Sequence, residues 1–155
     1  MFEIDGAITA IGQSIFDNEV VVYAYLEITD TAGTRTMIEK VAVCNDVGAV
    51  LGMGLSGRYY VDQIFRRSNS FRCQLWGVKT DRVAVIDRRN LRAQIGFLKI
   101  LYGIVTIPIL GLGFFLIVSG IRLLILSASY DRQRTFVGSR NGSVPPPLPA
   151  RVVRI

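Results

Sequence analysis

The chain contains no histidine, and only two of its 155 residues are cysteine. It therefore lacks the side chain whose ordinary pKa suits it to act as general base, proton shuttle or metal ligand near neutrality. Cys44 and Cys73 have neither a histidine nor a second close thiol pair beside them, so no zinc spacing and no redox motif is present. Two buried free thiols are expected. Familiar enzyme chemistry is not expected, and no catalytic residue, metal site or cofactor site is assigned. Lysine and arginine are absent before Arg35, while Glu3 and Asp5 stand near the start, the reverse of a basic secretory leader. The largest absence lies further on, where residues 100–121 carry no charge at all.

Fourteen of those 22 residues are Ile, Leu, Val or Phe. One helix of that length would measure roughly 33 Å, against about 30 Å of bilayer hydrocarbon. The pattern predicts a single transmembrane helix within residues 96–129, kinked at Pro108. A re-entrant hairpin turning near Pro108 and Gly113 is the alternative, although the segment is short for two passes. Thr106, Gly113, Gly120 and Ser127 recur every seven residues, a small-residue stripe on which another helix can pack closely.

Charge is distributed in blocks. Residues 1–57 hold two bases and eight acids, and residues 58–95 hold nine bases and three acids, so the first 95 residues are neutral but polarised. The net charge of +6 resides in the remainder, where seven bases face only Asp131. Arg82, Arg88, Arg89, Arg92 and Lys99 precede the apolar segment, where long basic side chains can reach anionic lipid headgroups at about 1 kcal/mol each. Basic residues stand on both flanks, and orientation leans to a cytosolic N-terminal domain at a bacterial inner membrane.

Residues 1–95 read as short strands separated by turn residues. A first strand over 2–14 bends at Gly6 and Gly12, and 20–29 and 35–44 form a hairpin around Asp30 and Gly33. Strands follow at 59–66, 71–79 and 82–87. This order resembles the oligonucleotide/oligosaccharide-binding (OB) barrel, and an SH3-like barrel would read alike. The expectation is a small all-β domain, an OB-like or SH3-like antiparallel barrel of five or six strands. The transmembrane helix follows it, and then a polar, Pro-rich, disordered tail over 130–155.

The motif Gly52-Met53-Gly54-Leu55-Ser56-Gly57 has dinucleotide-binding spacing, but that fingerprint needs a helix next, and 59–65 reads as a strand. Tyr23 and Tyr25 could stack on bases, with Phe71 and Trp76 as further platforms and Arg66, Arg67 and Arg72 as phosphate ligands. Glu27 and Glu39 on the first hairpin would repel phosphate, so nucleic acid is not the expected partner. Glu3 and Asp5 share a strand face and read as exposed acids. In the tail, Pro145, Pro146, Pro147 and Pro149 favour an extended segment. Val153 and Ile155 alternate with Arg154, as in a strand that adds to a sheet edge. Asn141-Gly142-Ser143 is a glycosylation sequon, meaningful only in a eukaryotic lumen.

Together these features predict a non-enzymatic, single-span membrane subunit. Its β-domain would serve as an interaction and assembly module in an oligomeric membrane complex, with homo-oligomerisation and other subunits as partners. A membrane-tethered oligonucleotide-binding module is the alternative.

Overall fold

The computed structural model describes residues 1–17, 20–106, 112–129, 132–138 and 153–154. It falls into two compact units, Met1–Arg89 with Gly142–Ile155, and Asn90–Asn141.

The first unit contains β1 (Phe2–Ile11), β2 (Ser14–Asp17), β3 (Val20–Thr29), β4 (Arg35–Cys44), the single turn α1 (Asn45–Gly48), β5 (Ser56–Gln63), β6 (Cys73–Lys79), β7 (Ala84–Ile86) and β8 (Val153–Arg154). The β-branched and aromatic residues of β3 and β4 suit a pleated surface. The turn between them is closed by Asp30, whose Oδ1 accepts from the Ala32 and Thr34 amides at 2.8 and 2.9 Å, with Gly33 in the left-handed region at φ 83°. β1 serves two neighbours. Phe2 to Ala7 pair with β5 and Ala7 to Ile11 with β3, and the handover occurs at Gly6, where a Cβ would lie 2.3 Å from the Thr29 carbonyl oxygen.

All eight strands belong to one sheet with the path β2-β3-β1-β5-β6-β4-β8; β7 adds to β6, and β3 also pairs with β4. The pairing of β4 with β6 is parallel, Val41, Ala42 and Val43 beside Cys73, Gln74 and Leu75. The sheet is thus mixed, which corrects the antiparallel barrel expected from the strand order. The reason lies in β6, whose residues 73–78 are buried whichever way they point. A strand covered on both faces is usual beside a parallel neighbour and shows little alternation from which pairing sense can be read. Phe2, Ile8, Leu26, Ile28, Ile38, Val41, Tyr59, Val61, Leu75 and Val78 belong to the core.

The second unit contains α2 (Leu91–Thr106), α3 (Leu112–Ala128) and α4 (Arg132–Gly138). Asn90 caps α2, its Oδ1 accepting from the Ala93 amide at 3.2 Å. Here the structure makes its largest correction. The uncharged stretch is not one helix but parts of two, α2 and α3, which pack on each other. Their 16 and 17 residues correspond to about 24 and 26 Å of helix, short of the roughly 30 Å of hydrocarbon. Among the described residues no helix is long and apolar enough to cross a membrane. The single-pass topology and the inner-membrane localisation are both overturned by this.

The expected disordered tail is also corrected at two places. Arg132–Gly138 is helical, and Val153–Arg154 is a strand on β4. The kink at Pro108, the four tail prolines, the sequon and Ile155 lie outside the described residues.

The helix pair rests on glycine. A Cβ at Gly96 would stand 3.1 Å from the Gly120 carbonyl oxygen, one at Gly103 2.8 Å from that of Gly113, and one at Gly120 2.7 Å from that of Gly96. Since backbone cannot yield as a flexible side chain does, Gly120→Leu is expected to destabilise the pair by about 1–3 kcal/mol. Hydrogen exchange should quicken at least about fivefold in α2 and α3 and stay unchanged in β3 and β4. Val137→Ala, at an exposed site on α4, should leave α2 and α3 as protected as before.

Candidate interaction surface

Within the second unit the polar side chains turn towards the helix pair. Lys99 Nζ donates to Ser119 Oγ at 3.2 Å, Asn90 Nδ2 to Ser127 Oγ at 2.5 Å, and Arg132 Nη2 to Asn90 Oδ1 at 3.1 Å. Gln94, Arg122 and Arg134 are exposed, but most of the large side chains that point outward are apolar. Phe97, Leu101 and Val105 mark one line on α2 at helical spacing, and Phe114, Val118, Ile121 and Ile125 mark one on α3. Phe97, Phe114 and Phe115 are 63%, 71% and 76% exposed, where a side chain of a packed core would be close to zero. No charge interrupts these lines between Lys99 and Arg122.

The small-residue stripe is divided between the helices. Thr106 ends α2, its Oγ1 donating to the Tyr102 carbonyl at 2.8 Å, while Gly113, Gly120 and Ser127 lie on α3. Gly113 and Gly120 face Gly103 and Gly96 of the same chain, and Ser127 meets Asn90. Gly96 and Gly103 had gone unnoticed in the sequence. Their signal was a second seven-residue glycine spacing, in antiparallel correspondence with that of Gly113 and Gly120.

The five basic residues before the apolar segment do not form one open cluster. Arg82, Arg88 and Arg89 are exposed, Arg92 is buried and Lys99 is half-buried on Ser119. Of the candidate stacking residues, Trp76 is buried, Tyr23 packs on the core, and Phe71 stands edge-on to Phe65 with centroids 5.6 Å apart. Tyr25 remains outward, its ring over Gly12. Arg72 pairs with Glu39, and Arg66 and Arg67 are exposed. Arg58 bridges Glu3 and Asp5 at 3.4 and 2.6 Å, and its pKa is raised chiefly by the hydrogen bond to Asp5. One cation thus bridges both carboxylates and offsets half of their charge. After the Gly52–Gly57 motif comes strand β5, so no helix N-terminus stands ready for a pyrophosphate.

Cys44, Asn45, Asp46, Asp87 and Arg89 line a cleft of about 170 Å³. Beside it Gln74 Nε2 donates to the Arg89 carbonyl at 2.9 Å and approaches Cys44 Sγ at 3.8 Å. Cys44 and Cys73 are buried and are not joined in a disulfide. Among the described residues no group of His, Cys, Asp and Glu is placed to hold a metal ion. No family model, curated protein or solved structure matches the chain.

Burial pushes the Cys73 thiol up to about 12, with Asp62 adding to the effect, and burial raises Tyr59 likewise to about 12. Both groups stay protonated in the folded state at pH values where the unfolded chain has released its proton. The unfolded state then binds fewer protons, and stability falls as pH rises. The stabilisation is complete below about pH 9 and is lost between about 9 and 12, with Cys73 contributing at most about 1.4 kcal/mol per pH unit. Urea unfolding followed by Trp76, the single tryptophan, should show this alkaline slope, and Cys73→Ala should flatten it. An unchanged slope in the variant would remove the thiol as its source.

Proposed function

We propose that this chain is a non-enzymatic assembly protein, in which the helical hairpin is the surface joining one copy to another and the β unit is the body so joined. The observation that carries the reading is the exposed apolar face of α2 and α3, which no charge interrupts between Lys99 and Arg122. Helices apolar on all sides are normally buried, and soluble monomers rarely leave so large a contiguous apolar face open to water.

A second copy is the occupant favoured by the chemistry. With no charge between Lys99 and Arg122, the face selects no partner of opposite sign, and in a two-fold arrangement it is complementary to itself. Two antiparallel hairpins also combine naturally into a four-helix bundle. A partner identical to the chain is present whenever the chain is made.

The test is the mass of the purified full chain by light scattering over a concentration series. A dimer or higher oligomer is expected, and Phe97→Glu combined with Phe114→Glu should weaken association at least about tenfold, equivalent to about 1.4 kcal/mol. Circular dichroism of the variant should match the parent, because both side chains point away from the glycine contact. Association unchanged by the substitutions would refute the reading, as would a monomer at every concentration, including one that binds phospholipid vesicles instead.

A further inference from the structure

The sheet leaves one stretch of backbone open to strand addition. On one side β4 pairs with β3 from Arg35 to Cys44. On the other, β6 reaches only Val41, Ala42 and Val43. The limit is set at Lys40, which adopts φ 51° in the left-handed region and whose carbonyl accepts from the Arg72 amide at 2.8 Å. Its Nζ donates to the Ser68 and Asn69 carbonyls at 3.1 and 3.0 Å, which fixes the chain entering β6 at that point. Before Lys40, the outer edge of residues 35–39 meets only β8 among the described residues, Thr36 opposite Arg154 and Met37 opposite Val153.

An edge of this kind recognises backbone first, since its amides and carbonyls pair with any extended segment that presents the complementary groups. Two residue pairs are a short hold. At about 0.5–1.5 kcal/mol net per hydrogen bond, such a strand detaches readily and can be replaced by its equal. The prolines from Pro145 to Pro149 lack the amide that pairing needs, so the pairing segment begins after Pro149.

We infer that the outer edge of β4 at residues 35–39 is a strand-addition site, filled by β8 within one chain and by β8 of a second copy when strands exchange. Exchange of an identical segment loses no contact and needs no new one. The inference rests on the sheet edge and is independent of the hairpin.

The test uses the full chain in two single-cysteine-addition variants, Met37→Cys and Val153→Cys. These positions oppose each other in the ladder, where cross-strand Cβ separations suit a disulfide, and the native thiols are buried. Mixed under mild oxidation, the two variants should give a disulfide-linked dimer in roughly tenfold excess over a mixture of Val153→Cys with Met53→Cys, a site 64% exposed and outside the ladder. If the doubly substituted chain closes its disulfide internally while the mixture yields no dimer, exchange is overturned and β8 stays at home. No disulfide in either arrangement overturns the site itself, and equal yield with Met53→Cys reduces the dimer to random collision. Repeating the mixture in the Phe97→Glu, Phe114→Glu background separates the two interfaces, since strand exchange should persist there.

Discussion

The helical unit depends on backbone touching backbone. At Gly96 with Gly120 and at Gly103 with Gly113, a methyl group would stand about 3 Å or less from a facing carbonyl oxygen, so the two helices come as near as the chain permits. Close approach places Lys99 beside Ser119 and Asn90 beside Ser127, and the polar groups of an apolar segment are satisfied within the pair. The space beside the glycines is filled by Ile100, Ile117 and Leu124. Phe97, Leu101, Phe114 and Phe115 are therefore turned out, and the glycine contact that closes the hairpin also creates its unpartnered exterior.

The β unit answers to a different constraint, the need for β6 to be paired and covered on all sides. Tyr59, Val61, Leu75 and Val78 enter the core. The alternate positions Tyr60, Asp62, Gln74 and Trp76 are buried as well, with the Tyr60 and Trp76 rings 5.2 Å apart. Bringing β6 alongside β4 in parallel requires the intervening chain to travel through α1 and β5, and Lys40 marks where the parallel contact must stop. The open edge of β4 follows from that stop.

Much of the β unit was legible in the sequence because its signals are local. The hairpin of β3 and β4 was announced by β-branched and aromatic residues around Asp30 and Gly33, and the strand character of residues 59–65 was enough to set aside the glycine motif before it. Pairing sense was not legible, because Cys73, Gln74, Leu75 and Trp76 are all buried and so offer no alternation. The helical segment was misread for a related reason. The hydropathy of residues 100–121 is compatible with either one long helix or two short ones, since hydropathy reports burial and not continuity, and Pro108 suits a kink as well as a turn. The deciding information lay in the spacing of four glycines, which means something only once Gly96 and Gly103 are set against Gly120 and Gly113. Ser127 belonged to the same seam, but its partner Asn90 lies 37 residues away, beyond any local pattern.

The contacts proposed for the apolar hairpin and for the sheet edge would associate in two unlike ways. Apolar burial is strong but weakly directional, with a favourable free energy that follows area and tolerates many arrangements of the same side chains. Strand addition is the reverse, giving little free energy per residue but fixing direction and register through alternating amides and carbonyls. A chain with only the hairpin would be free to gather without defined order, and one with only the β4 edge would hold its partner briefly. Lys40 limits the edge to five residues, which keeps strand pairing too short to propagate on its own. In this protein, then, affinity is expected to come from the helices and register from the sheet.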